Sequence, residues 1–457
     1  MRIKKWWHYI LTCLFILVFL AGCANDSVLS SGNESIESAD KADEAAVQDS
    51  VNSVFKIIEL SSKDLIEPSL NEQQVSAKTV ARGANDFAFR LSALLSENVG
   101  TESFICSPYS VWLPLAALVN ATDSQYREEL LTALGAAGIN VADLNNAASR
   151  MLYSLTKQRD RQYEAYHDPL RIVNAFFVGN NVTLRREFAQ TFLDYYCGRA
   201  ITVDFTSNEA VHAVNQWASD STEGLITEII REFDPDTIAA IANAIYFSDR
   251  WVWEFSEENT TEDTFHSPTG DITAFFMLRE GNNQVYYEDD NVQAMPLRFK
   301  TGGGLYIILP KDGDAAGLLS SMTSKYFDTI QSESILATGK LLLPRFSIES
   351  GAMELSDTLK ALGVPLFDEL TAPLTGGLVE ESIPVWLSGA IQKAVIIVDE
   401  KGTTAAAVTI LPAPGAAPPT PTEPFEMNCN SPFVFVLYDR TNDGGNQVLF
   451  TGIVNRP

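Results

Sequence analysis

Histidine is scarce in this chain, with four residues among 457. His8, His167, His212 and His266 stand apart, and none sits in an HExxH or similar ligand spacing, so the common zinc patterns are absent. There is no GxSxG elbow and no phosphate-binding loop. Gly302-Gly-Gly304 lacks the Lys-Ser/Thr pair that a phosphate loop needs. Asp312-Gly-Asp314 lacks the later glutamate of a calcium loop and reads as a turn. Cysteine is sparse as well: there are five, with no CxxC pair. Cys106, Cys197 and Cys429 are odd in number and far apart, which favours buried thiols over a disulfide framework. Basic residues are in deficit, 32 against 59 acidic, for a net charge of -27. Phosphate backbones require the opposite sign, so no nucleic-acid partner is expected. The acidity fits a solvated surface. No activated nucleophile, metal site or cofactor motif is visible, and the chain does not read as an enzyme.

One long apolar run is present, at the N-terminus. Met1-Arg-Ile-Lys-Lys5 is cationic, Trp6 to Ala21 is almost wholly apolar, and Leu20-Ala-Gly-Cys23 closes the segment. That layout is a signal peptide over residues 1–22. The Leu-Ala-Gly-Cys box resembles bacterial lipoprotein signals, which implies cleavage before Cys23 and a diacylglyceryl lipid on its thiol. The competing reading is an uncleaved anchor of nearly spanning length. Either way the chain is expected to be exported and held at a membrane. The lipoprotein reading places it on the extracellular or periplasmic side of a bacterial membrane. Residues 24–78 carry eleven acidic and four basic side chains and few aromatics, the composition of a solvated tether running from Cys23. Within it, Val54 to Leu60 could pair as a short strand.

From residue 79 the pattern is globular, with 46% apolar residues over the whole chain, enough for a substantial core. Helical spacing predicts helices at 124–134, 141–156, 185–197 and 208–221, after two earlier ones near Phe87 and Val111. Strand-like runs fall at 172–178, 238–247, 272–277, 293–299, 305–309, 341–348 and 388–398. Helices come mainly early and strands mainly late, an α+β pattern. Pro412 to Pro424 is proline-rich and fits neither helix nor central strand. As a linker between domains it would leave only residues 425–457 beyond it, too few for a second core. Those residues read as a hairpin, which is marginal alone. The proline-rich segment is therefore an exposed loop within one domain.

Just before that loop, the apolar strand Val395-Ile-Ile-Val398 ends in Asp399-Glu400-Lys401-Gly402, followed by Thr403-Thr-Ala-Ala-Ala407. This run resembles the hinge of a serpin reactive-centre loop. Further blocks agree in order: Ser103-Phe-Ile-Cys-Ser-Pro-Tyr-Ser110, Leu170-Arg-Ile-Val-Asn-Ala-Phe-Phe177, Asn243-Ala-Ile-Tyr-Phe247 with Trp251, Leu343-Pro-Arg-Phe346, and Leu449-Phe-Thr-Gly-Ile-Val454. The resemblance implies a serpin fold over residues 79–457: three β-sheets with surrounding helices and a reactive-centre loop at about 400–424. It places the hinge at Glu400, Gly402, Thr403, Ala405, Ala406 and Ala407, and the shutter at Ser107, Ser110 and Asn243. Where the family usually has histidine, in a motif like Ile-His-Lys-Ala, this chain has Gln392.

The activity implied is suicide inhibition of a serine protease, with no cofactor and a covalent protease complex, by a chain expected to be monomeric. Small hinge side chains suit insertion into a sheet, whereas a charge there would oppose it through desolvation. Counting forward from Glu400 puts the reactive bond at Ala416-Ala417. Counting back from Ser431-Pro432 moves it towards Thr420 or Thr422. Alanine and the absence of Lys or Arg between Gly402 and Arg440 point to an elastase- or subtilisin-like protease. The alternative is a non-inhibitory serpin acting as a surface binding or structural protein, which Pro412 and Pro414 favour somewhat.

Overall fold

Successive residues of a strand face opposite ways, and here both faces are apolar. Phe176 and Ile241 lie in one core cluster, while Phe177 and Ala242 lie in another. A sheet with two greasy faces must be covered on both. The computed structural model of the chain describes residues 55–61, 63–66, 77–97, 99–156, 170–222, 224, 226–234, 236–403, 423–440 and 445–457.

The first half contains β1 (Phe55–Ile57), α1 (Ala77–Ser96), β2 (Phe104–Cys106), α2 (Pro108–Leu118), α3 (Ser124–Ala133), α4 (Val141–Leu155), β3 (Leu170–Gly179), α5 (Arg186–Tyr196), β4 (Gly198–Val203), α6 (Asn208–Ser221), β5 (Ala239–Phe247) and β6 (Asp249–Arg250). The second half adds β7 (Thr261–Ser267), β8 (Gly270–Glu288), β9 (Val292–Arg298), β10 (Gly304–Pro310), α7 (Ala315–Ser321), α8 (Ser324–Glu333), β11 (Ile335–Pro344), β12 (Phe346–Glu349), β13 (Met353–Glu354), α9 (Ser356–Ala361), β14 (Gly389–Val398), β15 (Gly402–Thr403), β16 (Phe425–Asn428), β17 (Phe433–Arg440) and β18 (Asn446–Val454).

The helices begin where the sequence supplies caps. Asp123 accepts from Gln125 and Tyr126 N–H, and Asn140 from that of Asp143. Helix α2 is different. All its residues are buried, which marks a core helix rather than an amphipathic one. Pro108 occupies its first turn, where no N–H partner is needed.

The central sheet runs in the order β1-β4-β3-β5-β14-β15-β6, with β12 and β13 also pairing to β14. Its inner face packs on the large cluster that includes α2, and α6 covers the outer face through Ala210, Val214 and Ala218. The second network runs β16-β11-β8-β9-β10-β17-β18-β2, with β7 on β8. Two of the expected sheets are joined through the 19-residue β8. Its early part pairs with β7, and Tyr287 and Glu288 pair with β9. The run expected as one strand at 341–348 is two, because the chain passes at Arg345 from the second network, where β11 pairs with β8, to the central sheet, where β12 pairs with β14. The expected strand at 272–277 is the opening of β8.

Of the segment expected before the domain, the described residues 55–61 and 63–66 are docked. β1 pairs antiparallel with β4, and beyond it the Lys63 N–H donates to Asp194 Oδ1 at 3.0 Å and the Ile66 N–H to Ser149 Oγ at 3.0 Å. Among the cysteines, Cys106 and Cys429 are buried but Cys197 is exposed, contrary to the expectation for all three. Cys197 ends α5 in the left-handed region, at φ 51°, and that turn carries its side chain out of the core.

Candidate functional site: the hinge and shutter of the central sheet

The central sheet contains a parallel seam. β14 pairs with β5 from Gly389↔Ala240 to Ala394↔Ile245. Above that point the chain leaves β14, turns through Asp399-Glu400-Lys401 and returns as β15. Thr403 pairs with Val398 on one side and with Asp249 on the other. The hinge strand is therefore wedged between the top of β14 and the continuation of β5.

Local chemistry fixes this turn. Asp399 Oδ1 accepts from Lys401 N–H at 2.8 Å and from Gly402 N–H at 3.1 Å, an Asx-type closure. Gly402 lies at φ 155°, and a Cβ there would come within 2.1 Å of the Asp249 carbonyl oxygen. Only glycine permits that approach. Thr403 is fully buried. Its hydroxyl accepts from Asp249 N–H at 3.1 Å, and its carbonyl accepts from Ser248 Oγ at 3.0 Å.

Glu400 anchors the turn. Arg345 Nε donates to its two oxygens at 2.8 and 3.0 Å, with a further bond from the Arg345 guanidinium at 2.6 Å. Thr260 Oγ1 adds another at 2.5 Å. Burial raises the Glu400 pKa, but the bonds from Arg345 and Thr260 outweigh it and hold the carboxyl below its ordinary value. Trp251 is fully buried and stacks on Phe299 at 4.8 Å between centroids. Its indole N–H donates to the Asp399 carbonyl at 2.9 Å. The backbone N–H groups of Trp251 and Phe255 donate to the carbonyls of Lys401 and Glu400. The segment 251–255 thus grips the hinge from below.

Further down, a row of three amides crosses three strands. Asn174 on β3 registers with Asn243 on β5, and Asn243 with Gln392 on β14. All three are buried. Gln392 exchanges both its amide groups with the start of α2. Its Oε1 accepts from Ser107 N–H at 2.9 Å, and its Nε2 donates to the Ser107 carbonyl at 2.8 Å and to Ser110 Oγ at 3.0 Å. Ser107 Oγ donates to the Leu449 carbonyl at 2.7 Å rather than capping α2. Asn243 Nδ2 donates to the Ser110 carbonyl at 2.9 Å and to Asn174 Oδ1. Asn174 Nδ2 and Asn243 Oδ1 are left without a partner, so the closed seam buries polar groups it does not satisfy.

The structure gathers Ser107, Ser110 and Asn243 into one cluster, and Glu400, Gly402 and Thr403 into another. Ala405, Ala406, Ala407, the proposed bond Ala416-Ala417 and Cys23 lie outside the described residues. Sequence reasoning missed Asn174, Asp249, Arg345 and Thr260. Arg345 stood within the quoted block Leu343-Pro-Arg-Phe346, but nothing in a linear pattern joins it to Glu400.

Comparison with known proteins agrees with this geometry. The family model described as Serpin (serine protease inhibitor) matches residues 82–457. A serpin-like protein of Thermococcus kodakarensis is 29% identical over 384 residues, covering 83% of this chain and 86% of that protein. Alpha-1-antitrypsin of Meriones unguiculatus is 28% identical over 395 residues, covering 85% and 92%. Among solved structures, the thermophilic serpin tengpin in its native state superposes with a TM-score of 0.73 at 24% identity, covering 87% of this chain and 98% of tengpin. Human thyroxine-binding globulin complexed with thyroxine gives 0.70 at 23% identity, covering 83% and 99%. The family match over most of the chain, together with a wedged hinge above a parallel seam, places this chain in the serpin family.

Proposed function

We propose that the protein is a suicide inhibitor of serine proteases of the elastase or subtilisin type. The observation that carries this reading is β15. Gly402 and Thr403 already pair as a strand at the upper end of the β5–β14 seam. A strand that continued downward from Thr403 would run antiparallel to both neighbours. One parallel ladder would become two antiparallel ones, and antiparallel pairing is the more stable per residue. Insertion also separates Asn243 from Gln392, so their amides would meet a new backbone in place of each other. Protease attack after Ala416 forms an acyl-enzyme and frees the loop. Insertion then carries the tethered enzyme away before water reaches the ester, in the manner of strand addition to a sheet. The bond Ala416-Ala417 presents a small side chain, which suits a shallow specificity pocket.

The test is an incubation with elastase and with subtilisin, read on a denaturing gel. A band at the combined mass supports trapping, and the peptide released should begin at Ala417. Cleavage without a high-mass band supports the second reading, a non-inhibitory serpin. Pro412 and Pro414 favour that reading, since each would remove a ladder bond from the far part of an inserted strand.

The proposal extends to location: export, lipidation at Cys23 and display on the outer side of a bacterial membrane, with the domain acting as a monomer. Metabolic lipid labelling tests it. Cys23→Ala should lose both the label and membrane retention, and labelling that persists in the variant refutes the assignment.

A further inference from the structure

Strand β8 does not run straight. Its pairing with β11 shifts between Ala337 and Gly339, and Asn283 sits in the left-handed region at φ 58°. Such a bulge bends a strand and re-aims its side chains. Beside it lies a cavity of about 600 Å3, within the size range of small-molecule sites. Trp253, Leu278, Met295, Pro296 and Leu336 supply its apolar wall, and two guanidiniums line it, the half-buried Arg279 and the exposed Arg298. Trp253 is 56% exposed and Leu336 42% exposed, and their chain neighbours Val252 and Ile335 are exposed as well. Four of the six large hydrophobic side chains exposed among the described residues therefore come from the two segments that meet at this cavity. An apolar cluster left in water at a concave site marks a place for a ligand.

Arg279 decides which kind. Its guanidinium stacks over Phe255, 4.7 Å from the ring centroid, and donates to the Trp253 carbonyl. That leaves most of its five N–H donors uncommitted. Burial pushes its pKa down to about 10, and no carboxylate offsets the shift. Glu254 also lines the cavity, but Lys300 holds it at 2.9 Å and Arg250 approaches it at 3.8 Å. Glu280 and Arg298 are both exposed at the rim, where solvent screens them, so Arg279 is the buried charge of the site. A polyanion would meet both of these carboxylates, and a neutral ligand would leave Arg279 unbalanced. One carboxylate is the charge that one guanidinium takes in a paired, two-bond fork.

We propose that this cavity binds a small amphipathic monoanion, an aromatic or aliphatic body bearing one carboxylate. The body lies against Trp253, Met295 and Leu336, and the carboxylate rests on Arg279. The site adjoins the segment 251–255 that holds the hinge but contains no hinge or shutter residue, and it does not depend on protease inhibition.

The experiment is calorimetric titration of the purified full chain with 1-naphthaleneacetate and with its neutral amide, which share one apolar body. The expected result is a single site at which the acid binds at least about tenfold tighter than the amide, a gap of about 1.4 kcal/mol. Arg279→Gln should erase that preference, and Leu336→Asp should weaken both probes. Equal binding of acid and amide overturns the proposal, as does binding of neither at millimolar concentration. A preference that survives Arg279→Gln also overturns it. Should Arg279→Gln fail to fold, Trp253→Phe and Leu336→Asp decide the matter: unchanged affinity for the acid in both places its site elsewhere and refutes the assignment.

Discussion

The β5–β14 seam and the β17–β18 ladder are two strand pairs of one molecule built to opposite ends. β17 and β18 are antiparallel, almost wholly buried, and apolar across most of their register, from Phe433↔Val454 downward. β5 and β14 are parallel over six registered pairs, with Asn243 opposite Gln392 in the middle and a foreign strand at the top. The first pair is held by packing, which forms and breaks as a unit. The second is packed on both faces as well, but its middle is held by buried amides and a few directed hydrogen bonds. A sheet that is to admit another strand needs the second kind of joint, set in a frame of the first kind.

The sharpest way to break this contrast is to put a charge at the wedge. Thr403→Arg places a guanidinium where a fully buried hydroxyl now bonds Asp249. An unpaired buried charge opposes insertion. The high-mass protease band should fall by more than tenfold while cleavage of the loop persists, and undiminished trapping would defeat the insertion reading. Next comes the frame. Phe435→Ala should cost about 3–5 kcal/mol by opening a cavity. Denaturant unfolding of the whole domain would record it. Gln392→Ala should cost less, about 1–3 kcal/mol, by leaving the buried Ser107 N–H unpaired. Its signature is local: amide exchange should quicken at Ile391 to Ala394 and not along β17. Exchange that quickens equally in both regions would show that the seam is no separate unit.

The smallest effect is set by pH. The folded Glu400 carboxyl is held below its ordinary value. A depressed carboxyl contributes stability that is complete above the unfolded pKa and fades as pH falls through the folded one. Its contribution should therefore be full at neutral pH and decline in the range below the ordinary glutamate value of about 4.3. Melting temperatures from pH 7 to 3 should show a flatter acid limb in Glu400→Gln than in the parent. The shutter should add nothing near pH 6, since Gln392 has no proton to gain where a histidine would.

The sequence displayed the frame more clearly than the joints. The helices expected at 141–156 and 208–221 form as Val141–Leu155 and Asn208–Ser221, because caps and 3.6-residue spacing are local signals. β7, with a mostly exposed face, and the short α7 and α9 carried too weak a period to be read. The hinge was legible as a run of small residues after Glu400. Its partners were not. Asp249 reaches Thr403 from β6, and Arg345 reaches Glu400 from the link between β11 and β12; such contacts exist only once the sheets have formed. Asn174 was hidden for the same reason: an asparagine within a strand signals nothing until register sets it beside Asn243.

The wedge at the top of the seam also has a mechanical meaning. A ladder loaded along its length must yield all its bonds together, whereas a ladder prised at one end yields them singly. β15 sits at the end of the β5–β14 pairing, so any downward advance peels the strands apart one rung at a time. Ala394↔Ile245 goes first, Lys393↔Ala244 second, and the third rung is Gln392↔Asn243. The first two rungs have no side-chain amide pinned to α2: Ala394 and Ile245 pack in the core, and Lys393 pairs outward with Glu349. The third is bolted through Gln392 to Ser107 and Ser110 and through Asn243 to the Ser110 carbonyl. The opening of this sheet is therefore a zipper with a catch at its third tooth, and the force profile of the molecule is set by where that catch lies.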